Sequence, residues 1–207
     1  MSNLTDGLLS QLGSGGIAQI AQALGTDESK AQGAIGSALP AILAGLANNT
    51  QKPQGAEALA SALEDHSPSV FDQLGNVVKS AGGADGNAIL AHVLGQKRGG
   101  VEQQLAGQTG LDLGAISKLL PMLAPLVLGY LSKQKSERGL DAGALGSMLG
   151  EERRASEAKS PGLGGLASIL DADGDGSMMD DLIDLTKGGG ASKGGLGGLL
   201  SKVLGRR

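Results

Sequence analysis

The chain has 207 residues, enough for one domain with appendages or two small ones. Hydrophobic residues make up 40% of it, yet it holds one Phe (Phe71), one Tyr (Tyr130) and no Trp, so Ala and Leu must supply the core. Strands draw on aromatic and β-branched residues, which are scarce here, so the expectation is all-α; the net charge of −4 argues against nucleic acid as a partner, and zero cysteines exclude disulfides, thiolate metal sites and a cysteine nucleophile.

In chain order, the first stretch, MSNLTDGLLSQLGSGG, lacks a basic region followed by an apolar one with a cleavage site, and the chain reads as cytoplasmic. Thirty-seven glycines, well above the usual ~7%, punctuate several short helices, since glycine inside a helix costs about 1 kcal/mol relative to Ala. GGIAQIAQALG ends at Gly25, and Asp27 stands where the N-cap of the next helix belongs. GGADGNAILAHVLGQKRGG (82–100) predicts a glycine turn, a capped helix from about Asn87, and a second glycine stop. Asp112 repeats the position of Asp27, and Ile116, Leu119, Leu120 and Leu123 follow as the stripe of a core-facing helix. The longest apolar run, LLPMLAPLVLGYL (119–131), carries two prolines and falls short of the ~20 residues of a membrane span, so it reads as a buried core helix. Pro40, Pro121 and Pro125 each lack a backbone donor and predict a kink or a restart.

The chain is self-similar at an offset of 85: Gly25 falls on Gly110, Asp27 on Asp112, Pro40 on Pro125, Ile42 on Val127, Leu43 on Leu128 and Leu46 on Leu131. Further on, ALASAL (58–63) matches ALGSML (144–149) after one inserted residue. Residues 1–150 therefore read as a duplicated all-helical domain with repeat units at about 9–65 and 93–151. Neither unit holds enough large apolar residues for a self-sufficient core.

ADGNAILAHVLG, the paired proline-containing helices, the TGLD turn and the later LDADGDGSMMDDL together resemble the bacterial family known as domain of unknown function 937, related to YidB-like proteins. The resemblance covers roughly residues 1–185 and implies an all-helical bacterial protein without implying an activity.

From 151 the composition changes. Residues 151–165 read as a charged helix end and linker, 166–186 as an acidic Asp loop with a short helix, and 187–207 as a basic, Gly-rich tail. Residues 163–186 carry six acids and no base; residues 187–207 carry five bases and no acid. An EF-hand-type loop needs oxygen ligands at positions 1, 3 and 5, glycine at 6 and a carbonyl at 7. Asp171, Asp173, Asp175, Gly176 and Ser177 meet that order. Position 12 is Leu182, so either the loop is one residue shorter and Asp181 closes it or the site is incomplete, and calcium affinity is expected nearer ~10⁻⁴ M than ~10⁻⁷ M, with magnesium competing. The alternative is that the aspartates form Asx-turns and cap the helix from Met178. Three carboxylates a few ångströms apart repel unless a cation sits among them, which favours the metal reading.

No metal-binding His pattern, Walker-type loop or nucleophile elbow in a strand context surrounds His66, His92 or the single GxSxG string at Gly190–Gly194. The sequence thus points to a non-enzymatic structural or interaction protein, self-association included, that binds calcium near its C-terminus. The rival is a peripheral membrane or envelope-associated module whose cation loop and basic tail meet anionic headgroups.

Overall fold

A computed structural model of the chain describes residues 4–159. Within them run eight α-helices: α1 (Leu4–Leu24), α2 (Glu28–Asn49), α3 (Pro53–Asp65), α4 (Leu74–Lys79), α5 (Gly83–Leu94), α6 (Arg98–Thr109), α7 (Leu113–Arg138) and α8 (Ala142–Lys159). Short 3-10 turns at Pro68–Phe71 and Gly95–Lys97 complete the order, and no strand occurs among the described residues. The fold is all-α, as the composition predicts.

Side chains at the helix ends account for the boundaries. The carboxylates of Asp27, Asp112 and Asp141 accept the backbone N–H groups of Lys30 (2.8 Å), Ala115 (2.9 Å) and Ala144 (2.8 Å), starting α2, α7 and α8. Gly25 and Gly110 close the helices before the first two caps at φ 67° and 69°, the left-handed conformation that glycine adopts without a Cβ penalty. Helix α1 bends at Gly13 (φ 60°, ψ −179°) into two shorter stretches.

Two expectations need correction. Helices α2 and α7 run without interruption through Pro40, Pro121 and Pro125, so none of the prolines restarts a helix. Each costs one hydrogen bond to the carbonyl four residues back, and burial of the surrounding side chains holds the helix across the gap. Helix α5 begins at Gly83, not Asn87; the Asn87 amide instead donates to the Gly83 carbonyl one turn back (3.0 Å). Helix α8 runs to Lys159, through the charged helix end that opens residues 151–165.

The core forms around α2 and α7, which pack on each other. Helix α7 is long and apolar enough by composition to cross a bilayer, but 72% of its most apolar window is buried among the other helices. Set at an offset of 85, the buried residues of α2 meet buried residues of α7: Ala31 with Ile116, Ala34 with Leu119, Ile35 with Leu120, Ala38 with Leu123, Leu39 with Ala124, Ile42 with Val127, Leu43 with Leu128 and Leu46 with Leu131. Helix α8 packs on α2, α3 packs on α7, and α3 and α8 pack together, so each of these long helices is covered by a partner distant in sequence. Leu59 and Leu63 of α3, and Leu145 and Leu149 of α8, are buried there. Each fully buried leucine contributes about 2 kcal/mol of transfer free energy.

Candidate functional site

The residues that the sequence singles out for a cation, Asp171, Asp173, Asp175, Ser177 and Asp181, lie outside the described residues, as does the basic tail. Among the described residues, no group of three or more His, Asp or Glu side chains is placed to hold a metal ion.

The described body has an open, polar cleft of about 370 Å³ where the end of α3, the 3-10 turn at Pro68–Phe71, α4 and the start of α5 meet α7. Asp65, His66, Gln73, Asn76 and Asp85 line it. The His66 ring bonds the Ala62 carbonyl through Nδ1 at 2.8 Å; a carbonyl can only accept, so the proton sits on Nδ1. The Ser67 hydroxyl accepts from Ser69 N–H (3.2 Å) and starts the 3-10 turn, while the Ser80 hydroxyl donates to the Asn76 carbonyl (2.9 Å) at the end of α4. The imidazole and these two hydroxyls thus close helix and turn ends in this cleft. The arrangement can hydrogen-bond a polar group, but it does not join a hydroxyl to a base. His92 stands on the exposed side of α5, where its carbonyl accepts from the Asn49 amide (2.8 Å), and Asp112 caps α7, so neither shares the cleft with Asp85.

The stretch GGADGNAILAHVLG (82–95), which contains the ADGNAILAHVLG of the family resemblance, has a packing role. Pro125 offers no N–H to the carbonyl of Pro121, and the backbone of Gly82 and Gly86 lies against that carbonyl so closely that a Cβ at either position would collide with it. Glycine lets α5 approach α7 at the point where the α7 ladder is broken.

Sequence reading missed Glu152. This side chain of α8 is 6% exposed, and its carboxylate accepts the backbone N–H groups of Leu4 (2.9 Å) and Thr5 (3.3 Å) and the Thr5 hydroxyl (3.0 Å). A buried carboxylate is tolerable only when hydrogen-bonded, and the start of α1 offers both orphan donors and a favourable dipole. The signal lies in the spacing: Leu145, Leu149 and Glu152 fall at i, i+4 and i+7, which puts an acid on the buried stripe. Glu102 joins elements similarly, accepting from Arg98 Nε (2.7 Å) and from the Ser117 hydroxyl on α7 (2.8 Å).

Residues 6–134 match the model of the family described as Bacterial protein of unknown function (DUF937), and the chain belongs to that family. The match starts in α1 and ends in α7, leaving α8 and the Asp loop beyond it. Comparison with curated proteins and with solved structures gives no match.

Proposed function

We propose that this member of the family is a non-enzymatic structural or interaction protein, built on a doubled helical body, that associates with further copies of itself and binds calcium through Asp171, Asp173, Asp175, Ser177 and Asp181. The observation that carries the non-enzymatic reading is how the body uses its acids. Asp27, Asp112 and Asp141 start helices, Glu152 holds α1, and Glu64 pairs with Lys135 (3.0 Å) on α7. Glu102 ties α6 to α7. The doubling is supported by the matched caps at Asp27 and Asp112, the matched left-handed glycines and the matched buried faces of α2 and α7.

Calcium binding is supported by the D-x-D-x-D-G order, with magnesium as the competing ion and the cytoplasm as the compartment. Calorimetric titration of calcium into the full chain, beside a variant carrying Asp171→Ala and Asp175→Ala, tests it. Saturable heat in the parent and none in the variant is the expected result. Equal behaviour of the two up to millimolar ion would reduce the aspartates to turn and cap residues. The acidic block followed directly by a basic tail favours a second reading, contact with an anionic membrane. Flotation with phosphatidylserine vesicles, with and without calcium, removes that reading if the protein stays in the dense fraction in both.

A further inference from the structure

A groove of about 450 Å³ lies between the later part of α1, α4 with the turn after it, and α7. Ala23, Val78, Ala81 and Met122 give it apolar walls, and the exposed Lys79 and Lys118 stand beside them. The ion pairs of the described residues involve other cations, so these two lysines are unneutralised in a chain of net charge −4.

Ala81 gives an independent reason to look at this wall. Its φ is 49°, and no other described non-glycine residue has a positive φ. It occupies the left-handed position that closes α4, with Gly82 N–H bonded to the Val77 carbonyl (2.8 Å) and Ala81 N–H to that of Val78 (3.1 Å). Glycine takes such a position without strain, and glycines do follow at 82 and 83. A methyl is held in an unfavourable conformation where it lines the groove, and backbone strain of this kind concentrates at binding surfaces.

We propose that this groove receives the segment Met178–Leu185 of a second copy of the chain, which rests on the self-association reading above. The segment reads MMDDLIDL, and residues 163–186 contain six aspartates with no lysine or arginine among them. Its Met, Leu and Ile side chains suit the apolar walls, methionine in particular adapting to irregular surfaces, while its carboxylates meet Lys79 and Lys118. Each chain carries one groove and one such segment, so the contact is head-to-tail and builds a ring or a filament.

The test uses the full-length protein, a fluorescently labelled synthetic peptide of residues 177–186, and chelator in the buffer so that the calcium loop plays no part. Peptide anisotropy is expected to rise saturably, to weaken at least tenfold in a Lys79→Glu, Lys118→Glu variant, and to weaken likewise for a peptide carrying Asp180→Asn and Asp184→Asn. Light scattering on the same samples should show a concentration-dependent mass for the parent that falls in the double variant. Both lysines are exposed, and circular dichroism confirms that the variant is folded. No peptide binding, or binding that ignores the charge reversals, would overturn the groove assignment. Peptide binding to a parent that stays monomeric at every concentration would overturn the assignment to a second copy. Self-association that persists in the folded double variant would overturn the groove while leaving the self-association reading in place.

Discussion

Helices α2 and α7 start alike and bury the same face, but they fill it differently. Where α2 places Ala31, Ala34 and Ala38, α7 places Ile116, Leu119 and Leu123, and all six are buried to 0% exposure. Caps and register follow from short-range chemistry, and that chemistry is shared. Volume is settled by what packs on each helix, and α7 has drawn the larger side chains while α2 lets its neighbours come close. A Cβ on Gly45 of α2 would stand 2.8 Å from the Val93 carbonyl oxygen; the matched position on α7 is Tyr130, whose hydroxyl fills the space left by the missing side chain of Gly7. Two helices of one register thus carry unequal shares of the core.

The sharpest way to break that inequality is to exchange volumes. Leu123→Ala should lose about 4 kcal/mol, a transfer loss plus a cavity in the middle of the bundle, measured by urea unfolding. Next in size, Glu152→Ala should lose about 3 kcal/mol, because it strands the N–H groups of Leu4 and Thr5 and releases α8 from α1. Native-state hydrogen exchange should show α1 opening first. Ala38→Leu, which gives α2 the α7 residue, should lose about 2 kcal/mol by overpacking, despite the better-filled surface that the larger side chain offers. A gain in stability there would mean that the two faces are interchangeable and the comparison false.

Smaller effects sharpen the same contrast. Asp112→Ala should lose about 1 kcal/mol through the missing cap of α7. The least effect concerns Tyr130, whose counterpart on α2 is Gly45. Burial raises the phenol pKa above its ordinary value of 10.0, with the Arg138 charge opposing. The neutral phenol is therefore favoured in the fold, and its contribution is complete below pH 10.0 and lost as pH rises through the folded value. Ultraviolet titration should place the folded midpoint above that of the urea-unfolded chain, and Tyr130→Phe should flatten the alkaline loss of stability.

Much of the body was legible because its signals are local. Asp27 and Asp112 cap where spacing places them, and Ile116, Leu119, Leu120 and Leu123 are buried as their period predicts. The prolines restart no helix because a helix interior tolerates a missing donor when its neighbours supply packing, and sequence does not display those neighbours. Asn87 is a good cap by type, but the close approach of Gly82 and Gly86 to Pro121 places the helix start earlier. The polar cleft could not be read at all: Asp65, Asp85 and Pro125 meet only after α3, α5 and α7 have packed. Glu152 and Ala81 break local rules, one an acid on a buried stripe and the other a methyl at a glycine position, and such breaches mark the places where tertiary demands prevail. The D-x-D-x-D-G order at residues 171–176 lies outside the described residues.

The most direct test of the interaction role is the mass of the full chain in solution. Sedimentation velocity over a hundredfold concentration range, with calcium and with chelator, should show a mass that climbs above the 20.5 kDa of a single chain and responds to calcium. A single 20.5 kDa species at every concentration, indifferent to the ion, would contradict the account.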